Sequence, residues 1–291
     1  MIRNNCRKLD ENFKNAPITM HKKPLINKGS KIFTLGSCFA LEIAKHLKEK
    51  GYNVLNEELT KETDHQLIWY NTYSILYEFQ RAYEDGRLFR QEKEDIWKTK
   101  DGKFQDPYRR CVFAKTKERL WELIDILNKK IKTYLAEADC IVITLGLTEV
   151  WVNPDNSVIC ASPGYPKGIG GGQDCSFLMS NYNQNLVNIE NSLNLLKQIN
   201  PNCQVVLTVS PVALAMTFRN VDHVVANMES KSILRAVAGK IEEKFDNVTY
   251  FPSYEMAICE EKSRVFKGDN RHVKPEFVAR IMKTFERHHV K

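Results

Sequence analysis

The chain reads as an α/β protein on a five-stranded parallel sheet, doubly wound in the flavodoxin-like manner with helices on both faces. Two observations predict it. Short apolar runs alternate along the chain with longer segments of helical spacing. The run Cys140-Ile141-Val142-Ile143-Thr144-Leu145 is apolar nearly throughout, as befits a parallel strand covered on both sides. The first strand is the run Lys31-Ile32-Phe33-Thr34-Leu35. Downstream of it Phe39, Ile43 and Leu47 recur four apart with charged residues between them, an amphipathic helix that Gly51 stops. A second strand covers 52–55, and a helix runs over 72–83. The stretch 84–110 is polar and has no strong period. Leu120, Ile124, Leu127, Ile131 and Leu135 then form the stripe of a long helix leading into the strand over 140–145. Leu186, Ile189, Leu193 and Leu196 mark the next helix, which feeds a strand over 204–209. A helix over 228–244, a strand over 248–251 and a closing helix over 276–288, with Pro275 at its start, complete the order. Residues 1–29 form a polar extension, and 30–291 a single domain.

With 291 residues and 43% hydrophobic content the chain can bury a large core. No apolar run approaches the roughly 20 residues that span a bilayer, and the polar first residues lack the apolar centre of a signal peptide. Eight cysteines are scattered with no Cys-x-x-Cys pair, which points to a reduced, cytoplasmic, metal-free protein. The net charge is +7, but lysines such as Lys129, Lys130 and Lys231 are spread along helix faces among acids, so nucleic acid is not the expected partner. A mild positive field favours an anionic substrate instead, such as an acidic sugar, a nucleotide sugar or an acyl-coenzyme A.

Chemistry concentrates at two places. In Thr34-Leu35-Gly36-Ser37-Cys38-Phe39-Ala40, a serine stands on a strand-to-helix turn. Its hydroxyl falls at the carboxyl edge of the sheet, and its amide, at a helix N-terminus, can donate to a developing oxyanion. The plain alternative is a serine that caps the helix. Near the other end, Gly268-Asp269-Asn270-Arg271-His272 sets an Asp-x-x-His pair in a loop. Histidine is the usual base for a serine, and a carboxylate three residues earlier can orient its ring. Thr148 and Ser210, like Ser37, directly follow strands, so all three should share the edge where such sheets bind ligands. The adjacent pair Asp222-His223 is a rival, read as a substrate contact or surface feature. His288 and His289, near the chain end, are expected to be solvated.

Residues 151–180 read as a long connection, a lid or surface loop, with Trp151 and Tyr165 able to stack on sugar faces. Its glycines 168–172 follow no strand and end in no Gly-Lys-Ser/Thr, so they make no nucleotide cradle, and no cofactor is expected.

Gly36-Ser37-Cys38-Phe39-Ala40 resembles the signature of the GSCFA family. Asp106-Pro107, the stretch 144–151, Ser210-Pro211-Val212, the stretch 226–238 and the stretch 250–255 resemble the same family. That family is similar to the SGNH/GDSL hydrolases, which implies a three-layer α/β/α fold with Ser37 as nucleophile, His272 as base and Asp269 as its orienter. Those enzymes carry Gly-x-Asn-Asp in the middle of the chain. Here the block is Gly146-Leu147-Thr148-Glu149, with threonine in place of the asparagine that donates to the oxyanion.

The resulting expectation is a serine ester hydrolase or O-acyltransferase acting on a small acyl group, which the resemblance places on a carbohydrate in polysaccharide metabolism. The Ser37 amide, Thr148 and Asn71 are the expected oxyanion donors, Asn71 doubling as cap of its helix. Gly146, Glu149, Trp151, Ser210 and Asn227 are the expected substrate contacts. An acyl donor is a further expected ligand, and no metal is. Two rivals stand beside this expectation: a non-catalytic carbohydrate- or partner-binding module on a degenerate hydrolase fold, and a thiol enzyme using Cys38, whose pKa the helix dipole would lower and whose side chain should point away from Ser37.

Overall fold

A computed structural model describes residues 24–56, 59, 67–172 and 174–291. The polar extension expected over 1–29 lies outside the described residues up to residue 23. Five strands build the central sheet: β1 (Lys31–Gly36), β2 (Asn53–Val54), β6 (Cys140–Leu145), β10 (Gln204–Val209) and β11 (Val248–Tyr250). All pairings are parallel, in the order β11-β10-β6-β1-β2. Numbered along the chain, that is 2-1-3-4-5, the flavodoxin-like doubly wound order.

The strands are apolar on both faces because helices cover both. Phe33, Leu35, Ile141, Ile143, Val205 and Leu207 face one side. There they meet α2 (Thr72–Ala82), α3 (Lys117–Glu137), α4 (Tyr182–Ile199) and α5 (His223–Lys244). Ile32, Cys140, Val142 and Val206 face the other side, against α1 (Cys38–Glu49) and the C-terminal helix α8 (Pro275–His289). Between them, the short helices α6 (Ser253–Ile258) and α7 (Lys262–Val265) lead from β11 into the 266–273 turn. Local chemistry sets the boundaries: Ser37 and Asn71 cap α1 and α2 and Gly51 (φ +77°) ends the first helix, as expected, and Thr116 caps α3. The helix expected from residue 228 starts earlier, because Asp222 accepts from Val224 N at 2.7 Å and caps it there.

Three expectations need correction. The stretch 84–110 is not featureless. It holds β3 (Trp97–Lys98) and β4 (Phe104–Gln105), which form an antiparallel ribbon with β5 (Phe113–Ala114). The connection over 151–180 is a loop only in part. It contributes to a second small sheet of β7 (Glu149–Val152), β8 (Val158–Ile159) and β9 (Ser176–Met179), in which Trp151 lies opposite both Ile159 and Phe177. Its glycines serve packing: a Cβ on Gly171 would come within 2.4 Å of Trp97 Cβ, and one on Gly172 within 2.5 Å of the Trp97 ring. His288 and His289 are buried, not solvated, because α8 turns them inward, His289 against Phe251 and Phe285.

One buried cluster fastens α2 and α3 to the connection between β4 and β5. Arg109 donates through Nε and Nη2 to the two carboxylate oxygens of Glu78 at 2.8 and 2.6 Å, and through Nη2 to Asn128 Oδ1 at 2.8 Å. Trp69 Nε1 donates to Glu78 at 2.7 Å, and Arg81 lies 3.3 Å from the same carboxylate. Burial pushes the Glu78 carboxyl up, but Arg109 and Arg81 outweigh it and hold the group below the ordinary carboxylate value. Removing that charge strands two buried guanidinium groups. Glu78→Gln should therefore cost about 3–5 kcal/mol of unfolding free energy, read from urea denaturation, whereas a loss under about 1 kcal/mol would show that the arginines find other partners.

Candidate active site

Glycines without room for a side chain bring the strand ends together. Gly36 has φ +132°, and a Cβ on it would lie 2.1 Å from Thr144 O on the neighbouring strand. A Cβ on Gly146 would lie 2.5 Å from Tyr70 O. The 67–71 segment is consequently strapped along the carboxyl edge of the sheet, Trp69 N donating to Gly36 O at 2.8 Å and Leu147 N to Tyr70 O at 2.9 Å. Beyond that edge lies a cavity of about 490 Å³. Ser37, Asn71, Gly146, Glu149, Trp151 and Ser210 line it, so six of the expected site residues converge there, and Cys38 borders it too.

The expected oxyanion donors are largely committed. The Ser37 amide donates to Thr144 O at 3.0 Å. Thr148 is fully buried, away from the cavity lining. Its amide donates to Ser230 Oγ at 3.0 Å and its hydroxyl is directed to Met179 Sδ at 3.3 Å. Asn71 caps α2 by accepting from Ser74 N at 2.8 Å, and Nδ2 donates to Ile159 O at 3.1 Å. One Nδ2 hydrogen remains to it.

Ser37 is 2% exposed, and its hydroxyl accepts from Phe39 N at 3.3 Å, so it also makes the capping bond of the plain alternative. On the 266–273 turn, Asp269 and His272 are joined: Asp269 Oδ2 lies 2.5 Å from His272 Nδ1, and Oδ1 accepts from the Arg271 and His272 amides at 3.0 Å each. The bond to the His272 ring and those two amides hold the Asp269 carboxyl well below the usual carboxylate range. His272 Nε2, however, lies 3.0 Å from Arg271 Nη1 and shares no hydrogen bond with Ser37. From this turn it is Arg271, not His272, that lines the cavity.

Other expected contacts turn out to hold the walls. The Glu149 carboxylate accepts from Thr217 Oγ1 at 2.6 Å and Phe218 N at 3.2 Å. Ser210 Oγ accepts from Val212 N at 3.2 Å. Asn227 lies outside the lining and accepts from Leu214 N at 3.1 Å, while His223 Nε2 meets Leu214 O at 2.8 Å. Asn227 and the Asp222-His223 pair thus anchor a wall rather than touch its content. Trp151 packs edge-on to Phe218, ring centroids 4.7 Å apart. The Cys38 thiol is pushed up by burial, against the pull of Arg271, Lys231 and Arg110, so the expected activation by the helix dipole does not prevail.

Sequence reasoning missed Lys231. It is 1% exposed, and its Nζ donates to Gly146 O at 2.6 Å. Its neighbour Ser230 receives the Thr148 amide, so one turn of α5 clamps both ends of the Gly146-Leu147-Thr148 bend. The signal was present: Lys231 stands three residues before Leu234 and seven before Ala238, on the buried stripe of its helix.

The fold is that of a doubly wound α/β protein whose strand-to-helix turn borders a cavity. Residues 31–285 match the GSCFA family, and the chain belongs to that family. No curated protein matches it. Among the described residues, no helix is long and apolar enough to cross a membrane.

Burial lowers the Lys231 ammonium from 10.5 to about 7. The unfolded chain therefore binds more protons here than the folded one across that window, and the cost of burying this lysine falls as pH rises through it. Relative to Lys231→Met, the native protein should gain thermal stability between pH 7 and pH 10. Parallel melting temperatures across that range would show that the buried amine keeps an ordinary pKa.

Proposed function

We propose that the protein is a serine acyl-ester hydrolase or O-acyltransferase of SGNH type, acting on a small acyl group carried by a carbohydrate. The observation that carries this reading is the Asp269–His272 pair, already joined at 2.5 Å on a turn whose Arg271 borders the same cavity as Ser37. In this mechanism Nδ1–H of His272 donates to Asp269, leaving Nε2 free to accept. Nε2 exchanges the Arg271 contact for Ser37 Oγ when substrate arrives, since catalytic hydrogen bonds often tighten only in the complex. Ser37 Oγ then attacks the ester carbonyl, and its proton passes to Nε2. Collapse of the tetrahedral intermediate returns that proton to the leaving alcohol. Water, or a sugar hydroxyl, takes the acyl group in the second half. The spare Nδ2 hydrogen of Asn71 and the Cys38 amide at the start of α1 are the donors we assign to the oxyanion, with the Ser37 amide engaged by Thr144. The carbohydrate half rests on the family resemblance and on aromatic walls such as Trp151 and Tyr165, which suit the apolar faces of sugars. The cysteines among the described residues are free thiols, which fits a cytoplasmic setting.

A second reading has its own support. Ser37 Oγ capping Phe39 and His272 Nε2 facing Arg271 also suit a binding module without chemistry. A fluorophosphonate probe separates the two: it should label Ser37, with labelling absent in Ser37→Ala and reduced by several orders of magnitude in rate in His272→Ala. Hydrolysis of short acyl esters should fall in parallel, and less in Asp269→Asn. A wild-type protein that neither takes the label nor hydrolyses esters would favour the binding module, and activity retained in Ser37→Ala with the phosphonate found on Cys38 would favour the thiol enzyme.

A further inference from the structure

The charged groups around the cavity do not balance. Arg110 reaches it between two rings, its guanidinium carbon 4.7 Å from the centroid of Tyr70 and 3.8 Å from that of Tyr165. Its Nε is buried and has no hydrogen-bond partner, and among the described residues no carboxylate forms an ion pair with the side chain. Arg271 enters from the 266–273 turn, where Nε donates to Ala213 O at 3.1 Å and Nη1 meets the His272 ring. Among the described residues it too has no carboxylate in an ion pair. Glu149, the one carboxylate among the described residues lining the cavity, is taken up by Thr217 and Phe218. Beneath the floor stands Lys231, its Nζ on Gly146 O, so two guanidinium groups border the cavity and an amine lies behind its wall. The remaining wall is apolar, with Leu147, Val150 and Ile159 among its residues.

A guanidinium stacked between rings but with no hydrogen-bond partner for its buried Nε, in a largely apolar recess, gains from an anion that completes it. Its planar fork matches an oxyanion with two donors at once. The neighbouring Arg109 makes the contrast: one residue earlier, the same side chain meets the Glu78 carboxylate through Nε and Nη2.

We infer that the cavity is an anion site, in which Arg110 and Arg271 hold a phosphate or carboxylate group carried by the ligand. In the proposed reaction, on which this extension rests only for the ester itself, the substrate is an acyl ester bearing such an anion, its acyl group lying at Ser37. Binding of the anion draws Arg271 off His272 Nε2 and leaves that nitrogen to serve Ser37, so the charged substrate completes its own catalytic base.

The test is calorimetry on Ser37→Ala at low salt with three probes: inorganic phosphate, monomethyl succinate and its neutral counterpart dimethyl succinate. At least one anion should bind, the neutral diester should not, and affinity should fall as salt rises. The tighter anion identifies the ligand group. Arg271→Gln, on a partly exposed turn where folding is not at risk, and Arg110→Gln should each weaken binding about tenfold to a hundredfold, with Arg110→Lys recovering part of the loss. Equal affinity for the neutral diester and the anions, or unchanged anion affinity in both glutamine variants, overturns the inference and leaves Arg110 a stacking strut between two tyrosines. The ester chemistry fails separately: a wild-type protein that binds the anion yet resists phosphonate labelling loses its hydrolase reading and keeps its anion site.

Discussion

The close approach of β1 to β6 is the constraint on which the site depends. With a side chain at Gly36, Thr144 O could not receive the Ser37 amide, because a Cβ would fall 2.1 Å from that oxygen. Any residue but glycine would also be strained at φ +132°. That contact fixes where the first strand ends and turns the chain into α1 with Ser37 at its cap. It also decides what Ser37 can do. The Ser37 amide is spent on holding the elbow, so in the proposed reaction the oxyanion donors are others, Asn71 on the strap and the Cys38 amide. Gly146 repeats the arrangement one strand over, admitting Tyr70 O where a Cβ would stand 2.5 Å away, and that approach delivers Asn71 to the cavity.

Two buried charges stabilise these approaches from behind, in different ways. Lys231 lends an ammonium to Gly146 O and has no carboxylate among its hydrogen-bond partners, so its cost is met by lowering its pKa. The cluster of Glu78, Arg81, Asp106 and Arg109 meets the same cost by pairing, and burial still raises the Asp106 carboxyl despite Arg109 and Arg81. Both sites lie under segments that carry cavity residues: Lys231 under the bend after β6, and Arg109 directly before Arg110. The scaffold places side by side an arginine paired with a carboxylate and one that borders the cavity.

Much of the frame was legible because it rests on periodicity. The strand Cys140–Leu145 and the stripes of α3 and α4 follow from spacing alone, and capping chemistry at Asn71 and Gly51 marked helix ends within a residue or so. What escaped were features that depend on long-range contact. The antiparallel strands over 97–114 and 149–179 are two to four residues long and gain their order from packing, as Gly171 and Gly172 do against Trp97. Lys231 was assigned to solvent by its charge although its position on the stripe argued otherwise. Thr148 was assigned to the edge by its place after β6, but two residues of bend carry it under Ser230 and out of reach of the cavity.

The residues around Ser37 fall into a rigid set and a set on one turn. Ser37, Asn71 and Gly146 are held by backbone bonds to the sheet and its strap, so their geometry is that of the core. Asp269, Arg271 and His272 sit on a turn that is largely exposed, tied to the body near them through Arg271 Nε to Ala213 O. Within that turn two partners compete for the His272 ring: Asp269 holds Nδ1, and Arg271 meets Nε2. The first contact orients the ring whichever way the second is resolved. An anion that takes the Arg271 guanidinium therefore releases a base already oriented, and the displacement required is that of one side chain, with the sheet and its elbow unmoved.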